Sequence, residues 1–93
     1  TLKVADLNIK REEYLVRKNK TEIILPRKEF ELLFLLASKP GKVFSRDEIM
    51  NKVWGSQVVV GDRTIDVHVR KLREKLGDNY IKTTKGVGYK FKA

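Results

Sequence analysis

The segment from Phe30 to Ala37 is apolar at every position except Glu31. It lies inside RKEFELLFLLASKPG, a run of good helix formers that ends at Pro40 and Gly41. A helix that is apolar on nearly every side is stable only when most of its circumference is buried. The sequence therefore predicts a central helix, with a sheet packed on one side of it and further helices on the other.

Short β-type runs precede this helix in residues 2–25, namely LKV, LNI, YLV and TEIIL. Polar pieces separate the runs, and RKNK at residues 17–20 suits a hairpin turn. Residues 80–91, YIKTTKGVGYKF, contain two more β-rich runs around the glycines of KGVG. These patterns predict a small antiparallel sheet near the N-terminus and a hairpin near the C-terminus.

The clearest helix start in the chain is at Ser45. Ser45 and Glu48 have the spacing of a capping box, and Phe44 and Ile49 have that of a hydrophobic staple. The helix that they begin, RDEIMNKVW, places four apolar side chains on one side: Ile49, Met50, Val53 and Trp54. We therefore expect a second helix at residues 46–54.

The stretch TIDVHVRKL at residues 64–72 fits two kinds of structure. Ile65, Val67 and Val69 alternate with polar residues, which is typical of a strand with one buried face. A longer stripe has helical spacing instead and includes Ile65, Val69, Leu72 and Leu76. The two structures place Val67 differently, because it is buried in the strand and exposed on the helix.

The residues that flank this stretch favour the helix. Asp62 is a good N-cap, and Gly77 is a good residue to end a helix. The 14 residues between them are many for a strand and ordinary for a helix. We therefore predict a third helix at residues 62–76, with Val67 on its exposed face.

Composition narrows the classes of function. The 93 residues include 21 Lys and Arg against 12 Asp and Glu, a net charge of +9 that favours a polyanionic partner such as DNA, RNA or an acidic membrane surface.

The chain has no cysteine, one histidine and no HExxH motif, so we expect no catalytic site, metal site or cofactor. No apolar run approaches ~18 residues, so we expect no membrane span. Because the chain begins at Thr1, we expect it to be one module of a longer protein.

The exposed face of the third helix has two interpretations. It consists of Arg63, Val67, Arg70 and Glu74, with Thr64 and Lys71 beside them. In the first interpretation it is a solvated face with the ion pairs Asp66–Arg70 and Arg70–Glu74. In the second it contacts DNA bases, since Arg or Lys binds guanine and a small apolar group such as Val67 meets the thymine methyl. The order of capped helix, turn and helix is that of a helix-turn-helix and favours the second.

The terminal hairpin, Trp54 and His68 also have two interpretations each, one structural and one as a contact with DNA. The terminal hairpin is an ordinary exposed hairpin, or it brings Thr83, Thr84, Lys85 and Tyr89 to phosphates or a minor groove, as in a winged helix. Trp54 is either a core residue or a phosphate contact. His68 is either a partly buried boundary residue or a phosphate contact. A basic hairpin directly after a candidate recognition helix favours the winged helix.

The chain resembles the winged-helix effector domain of OmpR/PhoB-type response regulators in KEFELLFLLASKPGKVFSRDEIMNKVWG, DRTIDVHVRKLREKLG and TTKGVGYKF. The resemblance extends over essentially the whole chain, in order. It implies one α+β winged helix-turn-helix domain over residues 1–93. That domain has a four-stranded antiparallel sheet at 1–25, a three-helix core at 26–77 and a β-hairpin wing at 78–93.

The resemblance also implies which residues contact DNA and RNA polymerase. The recognition-helix positions that contact bases or phosphates are Arg63, Thr64, Val67, His68, Arg70 and Lys71. Arg73 matches a position that contacts phosphate or makes internal salt bridges. Arg46 and Trp54 match backbone contacts before the loop, and Thr83, Lys85 and Tyr89 match wing contacts. The polymerase-facing loop matches Gly55, Ser56, Gln57, Val58, Val59, Val60 and Gly61, although its valines are alternatively core residues.

Three positions depart from the family pattern. Pro26 replaces the usual threonine that caps the first helix, so half of a capping box with Glu29 is missing. Lys71 and Lys85 stand where relatives often have arginine. Lysine is a point charge without the bidentate fork of arginine, so we expect looser base discrimination at both positions.

The function implied is sequence-specific binding of double-stranded DNA and transcription regulation in the cytoplasm, as the effector domain of a bacterial two-component response regulator. The implied partners are DNA, RNA polymerase and a receiver domain in the full-length chain. The domain is expected to be monomeric alone, to pair in tandem on DNA and to make no membrane contact. The alternatives are a winged helix that acts mainly by protein contacts, the cytoplasmic domain of a membrane-anchored activator, and a small basic RNA-binding protein.

Overall fold

The chain begins with a four-stranded antiparallel sheet. The computed structural model describes residues 1–55, Gly61 and residues 63–92. The strands, adjacent in sequence order, are β1 (Leu2–Val4), β2 (Leu7–Lys10), β3 (Leu15–Lys18) and β4 (Thr21–Ile24). Lys18 pairs with Thr21, so the predicted hairpin turn consists of Asn19 and Lys20, and Asn19 has a φ of 56°. The sheet predicted for this part of the chain is confirmed.

Helix α1 (Arg27–Ala37) is the predicted central helix, and most of its apolar residues are buried. Phe30 is 1% exposed, and Leu33 and Leu36 are fully buried. Pro26 occupies the N-cap position and makes no side-chain hydrogen bond there. The burial of α1 confirms the conclusion drawn from its almost continuous apolar sequence.

The second helix begins with the predicted capping box. Helix α2 (Arg46–Ile49) continues through a wider π-type turn at Met50–Trp54. The hydroxyl of Ser45 accepts a hydrogen bond from the backbone of Glu48 at 3.1 Å, and the carboxylate of Glu48 accepts one from the backbone of Ser45, also at 3.1 Å. Phe44 and Ile49, the predicted staple, are both buried in the core.

The third helix, α3 (Thr64–Leu76), confirms the helical interpretation of TIDVHVRKL. Its buried residues are the predicted stripe, Ile65, Val69, Leu72 and Leu76. Val67 is 36% exposed, whereas Val69 is 1% exposed. Arg63 stands at the N-cap without a side-chain hydrogen bond, and Asp62, the predicted cap, lies outside the described residues. At the other end, Gly77 has a φ of 109° and donates to the carbonyl of Arg73, which terminates the helix.

A second antiparallel sheet combines the terminal hairpin with a strand that the sequence did not predict. Its strands, in spatial order, are β5 (Val43–Ser45), β7 (Gly88–Phe91) and β6 (Ile81–Thr84). Strand β7 lies between β5 and β6, and its first residue, Gly88, approaches the backbone of β5 closely. A Cβ atom at this position would lie 1.9 Å from the carbonyl oxygen of Phe44, so only glycine fits there. Three helices, an N-terminal sheet and a C-terminal hairpin together confirm the predicted winged-helix architecture.

None of the helices in the described part of the chain combines the length and the apolar character needed to cross a membrane.

Candidate nucleic-acid interface

The outer face of α3 is rich in exposed side chains: Arg63, Val67, Arg70, Lys71 and Glu74. The ion pairs Asp66–Arg70 and Arg70–Glu74 expected of a solvated face are absent from the described residues. Asp66 instead pairs with Arg46 of α2 at 2.8 Å, so it does not neutralise Arg70. The two pairs belonged to the solvated-face interpretation, which their absence does not support, and the long-range contact with Arg46 explains why Asp66 does not pair with Arg70. The basic side chains of this face therefore remain available for an anionic partner.

Asp66 joins α3 to both α2 and the hairpin. Its Oδ1 atom accepts one hydrogen bond from the Tyr89 hydroxyl and another from Arg46 Nη2 at 2.8 Å. These bonds, first that of Tyr89 and then that of Arg46, hold the pKa of Asp66 below its ordinary value. Burial, and then the hydrogen bond to Asp66, raise the pKa of Tyr89. Asp66 thus stays ionised and Tyr89 stays neutral around pH 7.

Tyr89 is buried rather than displayed by the hairpin. It is 5% exposed, and two guanidinium groups lie near its ring, that of Arg46 at 5.4 Å and that of Arg73 at 5.9 Å from the centroid.

The sequence did not identify Asp66 as a functional residue. The available signal was an acidic side chain on a helix whose outer face is otherwise mostly basic.

Arg73 connects α3 to the first strand of the hairpin. Its Nε and Nη2 atoms donate to the carbonyl oxygen of Ile81 at 3.2 and 2.8 Å, and Nη2 also donates to the Thr83 hydroxyl at 2.9 Å. Arg73 was expected either to contact phosphate or to make internal salt bridges. Its contacts here are internal, but they are hydrogen bonds to a carbonyl and a hydroxyl group and not salt bridges. Lys85 lies in the exposed turn of the hairpin, where Gly86 has a φ of 78°.

His68 and Trp54 form a partly buried pair beside the exposed face of α3. Their rings meet edge to face, with centroids 5.0 Å apart. His68 Nδ1 lies 2.8 Å from the carbonyl oxygen of Thr64. Since a carbonyl only accepts, Nδ1 carries the hydrogen and Nε2 is the acceptor when the ring is neutral. Both residues occupy the boundary between the core and the outer face.

A second set of contacts that the sequence pattern does not indicate lies at the C-terminal end of α3. Lys18 of β3 donates to the carbonyl oxygen of Leu76 at 2.8 Å, and its ammonium group lies 5.3 Å from the centre of the Tyr80 ring. The Tyr80 hydroxyl donates to Asp6. A cation at a helix C-terminus is favourable because it meets unpaired carbonyl groups and the negative end of the helix dipole. These contacts tie the N-terminal sheet to the C-terminal end of α3.

Ser56–Val60, most of the predicted polymerase-facing loop, lies outside the described residues. The two ends of that segment are described: Gly55 has a φ of 90°, and Gly61 is exposed. Within the ranges that the structure covers, no group of three His, Cys, Asp or Glu side chains is arranged to hold a metal ion.

Comparisons with known proteins agree on the family. The family described as "Transcriptional regulatory protein, C terminal" matches residues 20–91. The phosphate regulon transcriptional regulatory protein PhoB of Rhizobium meliloti is 40% identical over 92 residues, which are 95% of this chain and 40% of that protein. The transcriptional regulatory protein VxrB of Vibrio cholerae is 51% identical over 75 residues, which are 81% of this chain and 31% of that protein. The chain thus spans two fifths or less of these two relatives.

Solved structures of similar domains have the same fold. The DNA-binding domain of CssR from Bacillus subtilis is 34% identical, with a TM-score of 0.84 over 91% of this chain and 98% of that one. The DNA-binding domain of RstA from Klebsiella pneumoniae, in complex with the RstA box, is 29% identical, with a TM-score of 0.88 over 98% of this chain and 95% of that one. The chain therefore belongs to the family of C-terminal domains of transcriptional regulatory proteins, as a winged-helix DNA-binding domain of the OmpR/PhoB response-regulator type.

Proposed function

We propose that residues 1–93 form one domain that binds double-stranded DNA sequence-specifically and regulates transcription as the effector part of a two-component response regulator. The observation that carries this proposal is the outer face of α3, where exposed basic side chains surround an exposed Val67. The family and the solved structures of DNA-binding relatives support it. A duplex partner accounts for both the charge and the apolar side chain.

The proposed roles differ along α3. Arg63 and Lys71 are candidates for base contacts, with lysine the weaker discriminator, and Val67 for contact with a thymine methyl group. Arg70, Thr64 and His68 are proposed to contact bases or phosphates as well. Near the ends of this surface, Trp54 and Thr83 are proposed as backbone contacts and Lys85 as an electrostatic contact of the wing.

The DNA contacts expected of three residues are modified here, because the side chains of Arg46, Arg73 and Tyr89 all make internal contacts. Tyr89 is buried and bonded to Asp66, and Arg73 is bonded to β6. We propose that Tyr89 and Arg73 hold the wing against α3 rather than supply their own phosphate contacts. The Arg46 side chain is 43% exposed, so it is proposed to contact phosphate while it remains paired with Asp66.

The context of the longer protein is also a proposal. The relatives extend well beyond the matched region, which is consistent with a receiver domain elsewhere in the chain. Pairing in tandem on DNA, cytoplasmic location and contact of the Gly55–Gly61 segment with RNA polymerase follow from the family resemblance.

RNA binding is the alternative that the surface disfavours. Proteins that bind single-stranded RNA stack splayed bases on exposed aromatic side chains. In the part of the chain that the structure describes, Tyr14 is the one exposed aromatic residue, at 39%, and its ring already packs edge-on against Phe30 with the ring centroids 5.1 Å apart. A duplex partner fits this surface better.

The experiment that tests the function is selection of bound sequences from a random pool of duplex DNA in the presence of excess structured RNA. We expect enrichment of a short consensus by the wild-type domain. The Arg63→Ala variant should lose preference at a base pair and the Lys85→Ala variant should not, because the first is proposed to contact a base and the second a phosphate. Recovery of RNA, or of DNA without any consensus, would contradict the proposal.

A further inference from the structure

Two lysines face each other on the outer surface of the C-terminal sheet. Lys82 of β6 is directly opposite Lys90 of β7 in the antiparallel register. The residues next to them in sequence, Ile81, Tyr89 and Phe91, are buried in the core. Because side chains alternate along a strand, Lys82 and Lys90 project from the other face of the sheet, away from the core.

This arrangement is unfavourable for the isolated fold. Like charges directly opposite each other in a sheet are destabilising. Within the described residues neither lysine has a carboxylate within 4.0 Å, whereas nearby Lys42 is paired with Glu48 at 3.7 Å. The remaining outward positions of the three strands carry no acidic residue, since they are Val43, Ser45, Thr84 and Gly88.

Protection of a sheet edge explains only one of the two lysines. A lysine on an edge strand prevents unwanted pairing with another chain, and β6 is an edge strand. Lys90, however, is on β7, which is hydrogen-bonded on both sides, to β5 and to β6. A charge on the central strand has no edge to protect, so the pair needs another explanation.

We propose that Lys82 and Lys90 form a second phosphate-binding surface, which contacts the DNA backbone on the side of the wing that faces away from α3. The inference rests on the proposed function. A wing inserted in a minor groove lies between two phosphate backbones. The inner face, where Thr83 and Arg73 meet, is directed toward the backbone next to α3. The outer face with the two lysines is then directed toward the other backbone.

The dimensions of the wing agree with this position. Lys82 precedes Lys85 of the turn by three residues, about 10 Å along an extended strand. The minor groove is about 7.5 Å deep. When the turn reaches the floor of the groove, Lys82 and Lys90 therefore lie near its rim, where the phosphates are. A lysine suits this role because contact with a single phosphate needs a charge and no particular fork geometry.

The test compares two double variants that lose the same charge. The Lys82→Ala/Lys90→Ala variant removes the proposed surface, and the Lys3→Ala/Lys20→Ala variant removes two exposed lysines of the N-terminal sheet. Binding to a fluorescein-labelled duplex of random sequence is measured by anisotropy over a series of salt concentrations. Loss of two phosphate contacts should make the slope of log K against log salt less negative by about 1.8. The affinity advantage of the wild type should therefore shrink about twelvefold between about 50 and 200 mM salt.

The control variant should keep the wild-type slope. An unchanged slope in the Lys82→Ala/Lys90→Ala variant, or an equal change in both variants, would overturn the inference and leave DNA binding itself intact. Absence of any duplex binding by the wild type would instead overturn the proposed function.

A single substitution supplies a second readout. Lys82→Glu replaces a like-charge pair with an opposite-charge pair, so the melting temperature should rise while affinity for the duplex falls. A lower melting temperature in Lys82→Glu would refute the premise that the lysine pair destabilises the fold.

Discussion

Val67 and Val69 are two positions apart on α3, and their side chains have opposite environments. Val69 is 1% exposed and packs in the core, while Val67 is 36% exposed on the outer face. The difference follows from the helical turn of 100° per residue, which separates the two side chains by about 200° around the axis. Substitution of Val69 therefore tests the stability of the fold, and substitution of Val67 tests the proposed contact with DNA.

We expect Val69→Ser to lower the free energy of unfolding by about 2 kcal/mol or more, because it loses burial and places a hydroxyl group in an apolar site. Val67→Ser should change it by no more than about 0.5 kcal/mol, as is usual for surface positions. Its effect should appear instead as weaker preference for thymine over uracil at one position of the selected DNA. Urea melts and a binding titration measure the two effects. Equal destabilisation by both substitutions would contradict the placement of Val67.

The ionisation of Tyr80 makes the free energy of unfolding depend on pH in the alkaline range. Burial, followed by the hydrogen bond to Asp6, raises the pKa of Tyr80 to about 12. The unfolded chain has an ordinary tyrosine pKa of about 10. The hydroxyl therefore stabilises the fold fully below about pH 10, and this contribution is lost as pH rises toward the folded pKa.

We predict that the free energy of unfolding falls more steeply between about pH 9 and 11.5 in the wild type than in Tyr80→Phe. Urea melts at a series of pH values measure the difference. Tyr14→Phe, which alters an exposed ring, is the matched control and should follow the wild type. Identical pH profiles for Tyr80→Phe and the wild type would rule out the proposed contribution.

Helices α1 and α3 are joined by an ion pair between the buried carboxylate of Glu29 and the exposed Lys75, which compensates for the missing cap of α1. In a capping box, the residue at the position of Glu29 accepts a hydrogen bond from the N-cap backbone. Pro26 has no N–H group to donate, so Glu29 cannot make that bond. Glu29 is 3% exposed, and its Oε1 atom accepts instead from Lys75 of α3 at 2.9 Å. Because Pro26 offers no N–H group, Glu29 contacts Lys75 of α3 instead of capping its own helix.

A double-mutant cycle tests this relation. Lys75→Ala alone should cost about 1–3 kcal/mol, because it leaves a buried carboxylate without its donor. In a Pro26→Thr background the cost should be smaller by about 0.5 kcal/mol or more, since the restored cap supplies a donor to Glu29. Unfolding by urea gives all four values, and Lys71→Ala on the exposed face serves as the control. Strictly additive values would show that Pro26 and Lys75 do not share Glu29.

The wing and α3 form one connected surface through side chains from three elements. Asp66 bonds Arg46 of α2 and Tyr89 of β7, and Arg73 bonds the backbone of β6. Ordering of flexible parts reduces affinity, so a surface that is already ordered loses less on binding. These contacts hold α3 and the wing, the two parts of the domain proposed to contact DNA, in a fixed relative position without DNA.

The charge of the whole molecule sets its expected response to salt. Of the net charge of +9, residues 62–93, which contain α3 and the terminal hairpin, carry +5, from nine Lys and Arg against four Asp and Glu. If about five phosphates are neutralised, log K should fall with log salt at a slope of about −4 to −5. Anisotropy titrations of the wild type with duplex DNA measure this slope. A slope near zero would favour the alternative in which the domain acts mainly by protein contacts.

Local sequence patterns were sufficient to predict most elements of the fold. The apolar stripe of α3, bounded by residues that start and stop helices, identified the helix and left Val67 exposed. The Ser45–Glu48 capping box and the turn at Asn19 were visible for the same reason. Each of these features depends on residues at most about four positions apart, so backbone geometry and side-chain periodicity specify them directly.

The contacts that assemble the candidate interface depend on the folded path of the chain. Strand β5 pairs with β7 across more than forty intervening residues, and Lys18 reaches the end of α3 across 58 positions. One interpretation of the sequence paired Asp66 with Arg70 one turn away, but Asp66 bonds Arg46 and Tyr89, which are 20 and 23 positions distant. Periodicity indicates which face of an element a side chain occupies. It carries no information about which distant side chain meets it there, because that depends on how the elements pack.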